Sequence, residues 1–333
     1  MCAFVMVSCG SKSKAPELAP LHVEGTTLYA GEEPVRLKGV SLGWHNIWPR
    51  FYNEGAVREL HDVWGADLIR AAIGADDHAK ADNPGIMGGY MSEPEFALEK
   101  LFAVVDGAVN VGCYVIVDWH SHVLYKEEAK EFFTKVATRY ADCPNVIYEL
   151  FNEPVSIEYE KYGDYSQPSD ESLMEFMDQL NDYAQELIET ITSISNVHPL
   201  ILMGCPQWDQ DIHMVPQNRI TTYDNLMYTV HYYSATHKDY LRDRASYAIS
   251  QGVPVFLSEC AGCEASGDGY IDVEEWENWD KWASDNDVST VVWSISDKNE
   301  TCSMLTPLAG SEGNWDNAVL KRWGRMVKDW LSK

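Results

Sequence analysis

Two glutamates, Glu153 and Glu259, carry the chemistry that this sequence could perform. Each follows an apolar run, VIYELF at residues 146–151 and VFL at residues 255–257. Such β-branched and aromatic runs predict buried strands, and carboxylates at the carboxyl ends of buried strands are typical of barrel and open α/β enzymes. On parallel strands, two glutamates suit a retaining glycosidase, with a general acid/base and a nucleophile about 5 Å apart. The sequence supplies the residue types but not the distance.

Polar or aromatic residues also end most of the other predicted strands. Each has a plain structural explanation, such as an ion pair for Arg70, a satisfied buried histidine for His120 or His231, and a core position for Trp293. Together, polar residues at the same end of six strands are hard to explain by packing alone, so we predict that they share one cleft. The strand-end residues are Arg70, Asp118, Trp119, His120, Asn152, Glu153, His231, Tyr232, Tyr233, Glu259, Trp293 and, just beyond, Asp297.

The elements that position these residues alternate along the chain. Strands are predicted at residues 36–41, 67–71, 113–118, 146–151, 200–204, 226–231, 254–258 and 290–294. Helices are predicted at 53–64, 93–111, 126–141, 169–195, 235–251, 272–286 and 317–331, with a weak signal at 208–213. This α/β pattern predicts a (β/α)8 TIM barrel. An open doubly wound sheet is the alternative, but the chain has no Gly-rich phosphate loop after its first strand.

A short β-hairpin, at residues 21–40, is predicted to lead into the first barrel strand. We therefore expect residues 21–333 to form one catalytic domain, preceded by a leader and linker at residues 1–20. The leader is similar to the end of a bacterial lipoprotein signal, with Cys9 placed for lipidation, so we expect a secreted or cell-envelope protein. No other segment is long and apolar enough to span a bilayer.

The charge of the chain limits its partners. With 52 acidic and 25 basic residues, the formal net charge is −27. Such acidity argues against nucleic acid and anionic membranes and favours a neutral ligand. Twelve Trp and eighteen Tyr weakly support a carbohydrate site, because aromatic faces stack on sugar rings. We expect a monomer that needs no cofactor.

Eight motifs follow one another from the hairpin to the last helix. They are LKGVSLGWH (37–45), DLIRAAIG (67–74), YVIVDWH (114–120), VIYELFNEP (146–154), MGCPQWDQDI (203–212), YTVHYYSATH (228–237), VPVFLSE (253–259) and VVWSISDKNE (291–300). In this order the chain resembles glycoside hydrolase family five, the retaining β-glycanases, and within it the bacterial endo-β-1,4-glucanases. The resemblance implies hydrolysis of internal β-1,4 bonds in a β-glucan. Mixed-linkage glucan, xyloglucan and mannan remain alternative substrates.

The resemblance also implies roles for the matching residues. Glu153 would be the acid/base and Glu259 the nucleophile. Asn152 would bond the sugar 2-hydroxyl, Tyr233 would hold the nucleophile, and Arg70 would lie near Glu259. The remaining implied contacts are His120 and His231 at the central subsite, Trp293 as the stacking platform there, Trp208 on the leaving-group side, and His45, Trp48, Lys298 and Glu300 on the non-reducing side.

These roles require the pKa values of two carboxyl groups to differ. A cation such as Arg70 and a donor such as Tyr233 favour ionised Glu259. The resulting charge, together with burial, is expected to keep Glu153 protonated until the glycosyl-enzyme forms.

Three other functional hypotheses can be compared with this one. The first is a metal-dependent, amidohydrolase-like barrel enzyme, in which His120, His122, His231 and Asp297 would ligate zinc. The second is a glycan-binding barrel without catalysis, which the presence of both glutamates disfavours. The third is a calcium loop at residues 264–275, where a Gly-rich loop leading into an acidic helix start is the better interpretation. Similarly, the lone CxxC of Cys260 and Cys263 indicates ordinary thiols rather than a metal site.

Overall fold

A computed structural model describes residues 18–82, 85–155 and 169–333 of the chain. Its strands are β1 (Leu21–Glu24), β2 (Thr27–Ala30), β3 (Glu33–Pro34), β4 (Lys38–Leu42), β5 (Leu68–Gly74), β6 (Tyr114–His120), β7 (Val146–Glu149), β8 (Ile201–Met203), β9 (Leu226–Tyr233), β10 (Val255–Ala261) and β11 (Thr290–Ile295). The parallel strands β4 to β11 pair in chain order, and β11 pairs with β4 to close an eight-stranded barrel. The predicted TIM barrel is confirmed.

Burial on both faces explains the apolar strand sequences. Every residue of β5, β6 and β10 is buried, as expected when a parallel sheet is covered by helices on one side and by the barrel core on the other. All eight barrel strands begin within two residues of the predicted positions. However, β5 and β10 continue beyond their predicted ends, because Gly74 still pairs with His120 and Ala261 with Tyr233.

The helices lie outside the barrel, and several begin at side-chain caps. They span Glu54–Arg58, His78–Asp82, Pro94–Val111, Lys126–Arg139, Asp170–Ile194, Asp239–Ser250, Val273–Asp285 and Arg322–Leu331. Asn53 accepts a hydrogen bond from the Ala56 N–H, and Ser169 accepts one from the Ser172 N–H. The first predicted helix, 53–64, is divided, because a π-helix at Glu59–Val63 follows its α-helical half.

Two predicted helices begin later than expected. The helix predicted at 235–251 starts at Asp239, because the residues after β9 form a turn in which the N–H groups of Thr236 and His237 donate to the Tyr233 carbonyl. The helix predicted at 317–331 starts at Arg322, after a bridge between Leu305 and Leu320. The weak helical signal at 208–213 corresponds to a turn at Pro206–Asp209 and a 3-10 helix at Ile212–Gln217.

The amino-terminal strands cover the bottom of the barrel. The predicted hairpin is present as β1 and β2, with the short β3 added as a third antiparallel strand. Leu21, Leu28 and Leu37 pack in one buried cluster with Leu68 and Phe256 from the barrel interior. This end is therefore filled with apolar side chains, which leaves the carboxyl ends of the strands for a cleft.

The remaining sequence predictions concern the leader, the thiols and the acidic loop. Residues 1–17, including Cys9, lie outside the described residues. Cys260 and Cys263 are both buried free thiols. The loop before Val273–Asp285 ends at Asp272, whose side chain caps that helix by accepting from the Glu275 N–H. None of the helices in the described part of the chain is long and apolar enough to cross a membrane.

Candidate active site

Glu153 and Glu259 face each other at the carboxyl end of the barrel. Side-chain atoms of Glu153, His231 and Glu259 all lie within 4.8 Å of one another. Both glutamates are largely enclosed, with 15% and 6% of their side chains exposed. A separation near 5 Å is typical of retaining glycosidases, whereas inverting enzymes hold their carboxyl groups farther apart to admit a water molecule. The geometry therefore supports a double-displacement site.

Arg70 is the buried cation that fixes Glu259. It projects from the middle of β5 with no exposed surface. Its Nη1 donates to Glu259 Oε2 at 2.8 Å, and its Nε donates to Glu149 Oε2 at 2.6 Å. The other amino group, Nη2, contacts Asn152 Oδ1 at 2.6 Å and Asp118 Oδ2 at 2.9 Å. One guanidinium thus neutralises a carboxylate from each of three other strands.

Tyr233 supplies the second hydrogen bond to Glu259. Its hydroxyl donates to Glu259 Oε1 at 2.8 Å. Burial and the neighbouring charge of Glu259 raise the pKa of Tyr233 well above its usual value, so the hydroxyl remains a donor. Each carboxylate oxygen of Glu259 therefore accepts one hydrogen bond, and together the two bonds fix the orientation of the carboxylate.

Two histidines bind Glu153. His231 Nδ1 lies 2.9 Å from Oε1, and His122 Nε2 lies 3.1 Å from Oε2. Burial raises the pKa of Glu153, but the hydrogen bonds with His122 and His231 outweigh burial and hold the pKa well below its usual range. The expectation that burial and the charge of Glu259 keep Glu153 protonated is therefore wrong, because these two hydrogen bonds favour the ionised form. The same contacts raise the pKa values of His122 and His231, so the acid/base candidate shares its protons with two imidazoles.

Aromatic side chains form the floor beside the glutamates. The rings of Trp293 and His120 are stacked, with centroids 5.4 Å apart and an interplanar angle of 9°. His120 is fixed from behind by Asp118, whose Oδ2 lies 2.7 Å from Nδ1. The ring of Trp44 packs edge-on against His120, with the ring centroids 4.5 Å apart. The structure thus brings the predicted residues Trp293 and His120 together with an aromatic residue that was not predicted.

Trp208 lies next to the segment that carries Glu153. It is half-buried in the turn after β8, and its N–H donates to the carbonyl of Pro154 at 3.2 Å. The platform predicted on the leaving-group side is therefore adjacent in space to the acid/base candidate.

The residues predicted for the non-reducing side lie in the loops after β4 and β11. Lys298 and Glu300 form an ion pair after β11, and Trp48 is half-buried beneath Gly43. His45, however, has no exposed surface, and its Nδ1 accepts from the Gly74 N–H at 3.1 Å. The prediction that His45 contacts substrate is not met, because the loop after β4 turns this side chain inward and directs Trp44 toward the cleft.

The residues of the predicted zinc site are not brought together. Asp297 accepts a hydrogen bond from Arg50 Nη2 at 2.9 Å, while His120 and His122 are bound to Asp118 and Glu153. Across residues 18–82, 85–155 and 169–333, the one group of His, Cys, Asp and Glu with metal-ligand spacing is Glu153, His231 and Glu259. This group is the glutamate pair itself with one of its hydrogen-bonding partners.

Several polar residues of the site were missed by the sequence analysis. Glu149 is buried within an apolar strand, and a charge inside such a strand was the signal that could have identified it. His122 was considered only as a zinc ligand, and its contact with Glu153 depends on loop geometry that local sequence does not encode. Asp209 and Ser258, which lie behind His231 at 3.2 Å and 2.9 Å, were missed for the same reason.

Comparisons with known proteins agree with this geometry. The family model described as Cellulase (glycosyl hydrolase family 5) matches residues 28–299. Endoglucanase A of Evansella cellulosilytica is 32% identical over 302 residues, which cover 89% of this chain and 56% of that protein. Endoglucanase Z of Dickeya dadantii is 31% identical, with 98% of this chain and 70% of that protein covered. The chain thus spans between about half and 70% of the length of these relatives.

Solved structures share the barrel along nearly the whole chain. A structure from Cytophaga hutchinsonii has a TM-score of 0.82 and 32% identity and covers 94% of both chains. The catalytic domain of Thermobifida fusca endoglucanase Cel5A, as its E355Q variant in complex with cellotetraose, has a TM-score of 0.79 and 25% identity and covers 94% of this chain and 97% of that one.

Proposed function

This chain belongs to the cellulase family, glycosyl hydrolase family 5, and we propose that it is a retaining endo-β-1,4-glucanase. The observation that carries the proposal is the enclosed glutamate pair, in which Glu259 receives hydrogen bonds on both oxygens and lies within 4.8 Å of Glu153. A carboxylate fixed by two hydrogen bonds beside a carboxyl group that is hydrogen-bonded to two histidines meets the needs of nucleophile and acid/base.

In the first step, Glu259 attacks the anomeric carbon of the bound sugar. The bond to the leaving-group oxygen breaks, and Glu153 gives that oxygen a proton. The glycosyl ester on Glu259 is neutral, and Glu153 is left as a carboxylate. In the second step, Glu153 takes a proton from water as the water oxygen attacks the anomeric carbon and releases Glu259.

Asn152 is suited to hold the sugar during both steps. Its Oδ1 is occupied by Arg70 at 2.6 Å. Its Nδ2 is buried and has no hydrogen-bond acceptor among the residues that the structure describes. A buried amide donor without an acceptor is costly unless a ligand supplies one, and the sugar 2-hydroxyl next to the reacting carbon is our proposed partner.

The proposed binding cleft runs across the barrel mouth. Trp208 would bind the leaving-group side and Trp293 the central sugar, with Trp48, Lys298 and Glu300 toward the non-reducing end. The aromatic rings suit the apolar faces of β-linked glucose, because stacking buries the apolar surface of both partners. We also propose that the enzyme is exported, because a β-glucan polymer is too large to enter a cell, and that it acts as a monomer, because one barrel supplies both glutamates.

A polysaccharide panel tests the activity. Carboxymethyl cellulose, mixed-linkage glucan, xyloglucan and mannan are assayed for reducing ends, with and without EDTA. We expect release from carboxymethyl cellulose that survives the chelator, and proton NMR of the first products should show the β-anomer. Products of inverted configuration, loss of activity with EDTA, or binding of glucan without hydrolysis would each overturn the proposal. A strong preference for another polysaccharide would reassign the substrate.

A further inference from the structure

The turn Pro206–Asp209 has an unusual backbone. Gln207, Trp208 and Asp209 are three consecutive non-glycine residues with φ angles of 58°, 54° and 61°. Side chains disfavour this left-handed region, so a run of three requires the surroundings to hold it. Backbone strain of this kind clusters at functional sites, and this turn carries Trp208, the proposed platform for the leaving group.

Asp209 provides the contacts that hold the turn. Its side chain has no exposed surface. Oδ1 accepts from the Cys205 N–H at 2.7 Å, and Oδ2 accepts from the Thr229 hydroxyl at 2.8 Å. The carboxylate therefore links the turn to Cys205, the residue that precedes it, and to Thr229 on the neighbouring strand β9.

The same carboxylate lies directly behind the acid/base candidate. Asp209 Oδ2 is 3.2 Å from His231 Nε2, and His231 Nδ1 is 2.9 Å from Glu153 Oε1. The Ser258 hydroxyl lies 2.9 Å from the same Nε2 and completes the surroundings of the imidazole. A continuous chain of polar contacts thus runs from the strained turn through Asp209 and His231 to Glu153.

We propose that Asp209 is a positioning residue that couples the Trp208 turn to the proton of Glu153. The inference rests on the proposed function. Asp209 fixes the imidazole of His231 and increases its affinity for the proton that it shares with Glu153, which gives a proton to the leaving oxygen in the first step and recovers one from water in the second. Because the same carboxylate holds the left-handed turn, the leaving-group platform and the proton donor are kept in one arrangement.

The surrounding charges make these groups titrate together. Besides Asp209 and Glu153, the carboxylates of Glu149 and Glu259 face His231, and with Asp209 they raise its pKa well above the usual value although burial opposes this. For the carboxyl group of Asp209, burial acts in the other direction and raises the pKa. Arg70 forms ion pairs with Glu149 and Glu259 and so balances their charges.

Two more titratable groups flank the turn near Asp209. Asp211 is paired with Arg244 at 2.6 Å, and Cys205 is a buried thiol. Asp209, His231 and Glu153 therefore share protons as one unit.

The variant Asp209→Asn tests the coupling. Its amide oxygen can still accept from the Cys205 N–H, but the carboxylate charge beside His231 is gone. Removal of an anion weakens proton binding by the unit, so the alkaline limb of kcat/KM should move to lower pH by about one unit. The loss of kcat should be at least about tenfold on a cello-oligosaccharide. It should be much smaller on a dinitrophenyl β-cellobioside, whose leaving group needs no proton.

Two further variants make the result interpretable. Asp211→Asn is the matched control, because it lies on the same loop, is also buried and contacts Arg244 rather than His231; its alkaline limb should remain at the wild-type pH. Thr229→Val removes the hydroxyl donor to Asp209, which favours the protonated carboxyl group and should move the limb to higher pH. This opposite shift keeps the proposal testable if Asp209→Asn does not fold, as judged by circular dichroism.

The coupling can also be separated from the activity. NMR titration of the His231 imidazole nitrogens in wild type and Asp209→Asn measures proton affinity without a substrate, and we expect a lower pKa in the variant. If wild type fails to hydrolyse glucans but His231 shifts, the proposed function is wrong and the coupling stands. An unchanged His231 pKa and an unchanged alkaline limb in folded Asp209→Asn would overturn the coupling and leave the glucanase proposal intact.

Discussion

The guanidinium of Arg70 lies 2.8 Å from the Oε2 of Glu259 in the interior of the barrel mouth. The same side chain binds Glu149 and Asp118, neither of which has exposed surface. Buried carboxylates are tolerated only when they are paired or protonated, so this cation stabilises the fold and the proposed nucleophile at once. Activity and stability should therefore respond together to changes at Arg70.

Replacement of Arg70 by Met should strongly destabilise the protein. The substitution removes the positive charge and leaves buried carboxylates without a partner, for which a loss of about 3–5 kcal/mol in the free energy of unfolding is typical. Urea denaturation monitored by tryptophan fluorescence measures the change. Arg58→Met is the control, because Arg58 is about half exposed in its pair with Glu54 and such pairs contribute about 0–1 kcal/mol. Equal losses in the two variants would contradict the assigned role.

Much of the fold follows from local sequence. The runs YVIVDWH and VIYELF are apolar on both faces, which only a strand buried on both sides explains, and they correspond to β6 and β7. Helices such as Glu54–Arg58 begin after a capping residue, here Asn53, that can be recognised in the sequence. The strand ends in turn predicted which residues share the cleft, because parallel strands place their carboxyl ends at one face.

The sequence does not predict which loop side chains are buried and which face the cleft. His45 and Trp44 are neighbours in a loop, and only tertiary packing decides that Trp44 faces His120 while His45 is buried against Gly74. Protonation was also beyond the sequence, since the low pKa of Glu153 depends on hydrogen bonds with His122 and His231 from two different strand ends. Contacts between residues distant in sequence therefore account for the errors.

Glu153→Gln should separate the two chemical steps. With a dinitrophenyl β-cellobioside, whose leaving group departs without a proton, Glu259 should still form the glycosyl-enzyme, whereas its hydrolysis lacks the base. Stopped-flow absorbance should record a burst of one dinitrophenolate per enzyme followed by a slow phase, and mass spectrometry should locate the sugar on Glu259. On polysaccharide, turnover should be abolished.

Two control substitutions are needed to interpret the burst in Glu153→Gln. Glu259→Gln should give neither burst nor turnover, since no nucleophile remains. Glu264→Gln, at an exposed glutamate on the loop after β10, should behave as wild type. A burst in Glu259→Gln, or its absence in folded Glu153→Gln, would reverse or remove the division of roles between the two glutamates.

His122→Phe should move the alkaline limb of kcat/KM to higher pH. His122 Nε2 lies 3.1 Å from Glu153 Oε2, and this hydrogen bond helps to hold the pKa of Glu153 below its usual range. Loss of a donor to the carboxylate favours the protonated form, so Glu153 should keep its proton to higher pH. Initial rates on an aryl cellobioside, measured between about pH 4 and pH 10, report the limb.

Two controls accompany this variant. His122→Gln keeps a neutral donor near Glu153 and should shift the limb by less than the phenylalanine variant. His198→Phe changes an exposed histidine paired with Asp224 on the opposite end of the barrel, and its limb should coincide with that of wild type. A limb that moves to lower pH in His122→Phe would show that the histidine acts on Glu153 in the opposite sense.

His45→Asn should make the protein less sensitive to acid. Burial lowers the pKa of His45 to about 3, whereas the unfolded chain binds this proton at a pKa near 6.5. Between these values the unfolded state holds one more proton, so the stability of wild type falls as the pH falls, by up to about 1.4 kcal/mol per pH unit for this residue. The asparagine side chain can accept from the Gly74 N–H, as His45 Nδ1 does, but cannot titrate.

Urea denaturation between pH 6.5 and pH 4.5 measures the slope of the free energy of unfolding against pH. This slope should be smaller by roughly one proton in His45→Asn, while His198→Asn, at an exposed site, should keep the wild-type slope. Parallel slopes for wild type and His45→Asn would mean that His45 is protonated in the folded protein, which its lack of exposed surface and its acceptor role toward Gly74 both oppose.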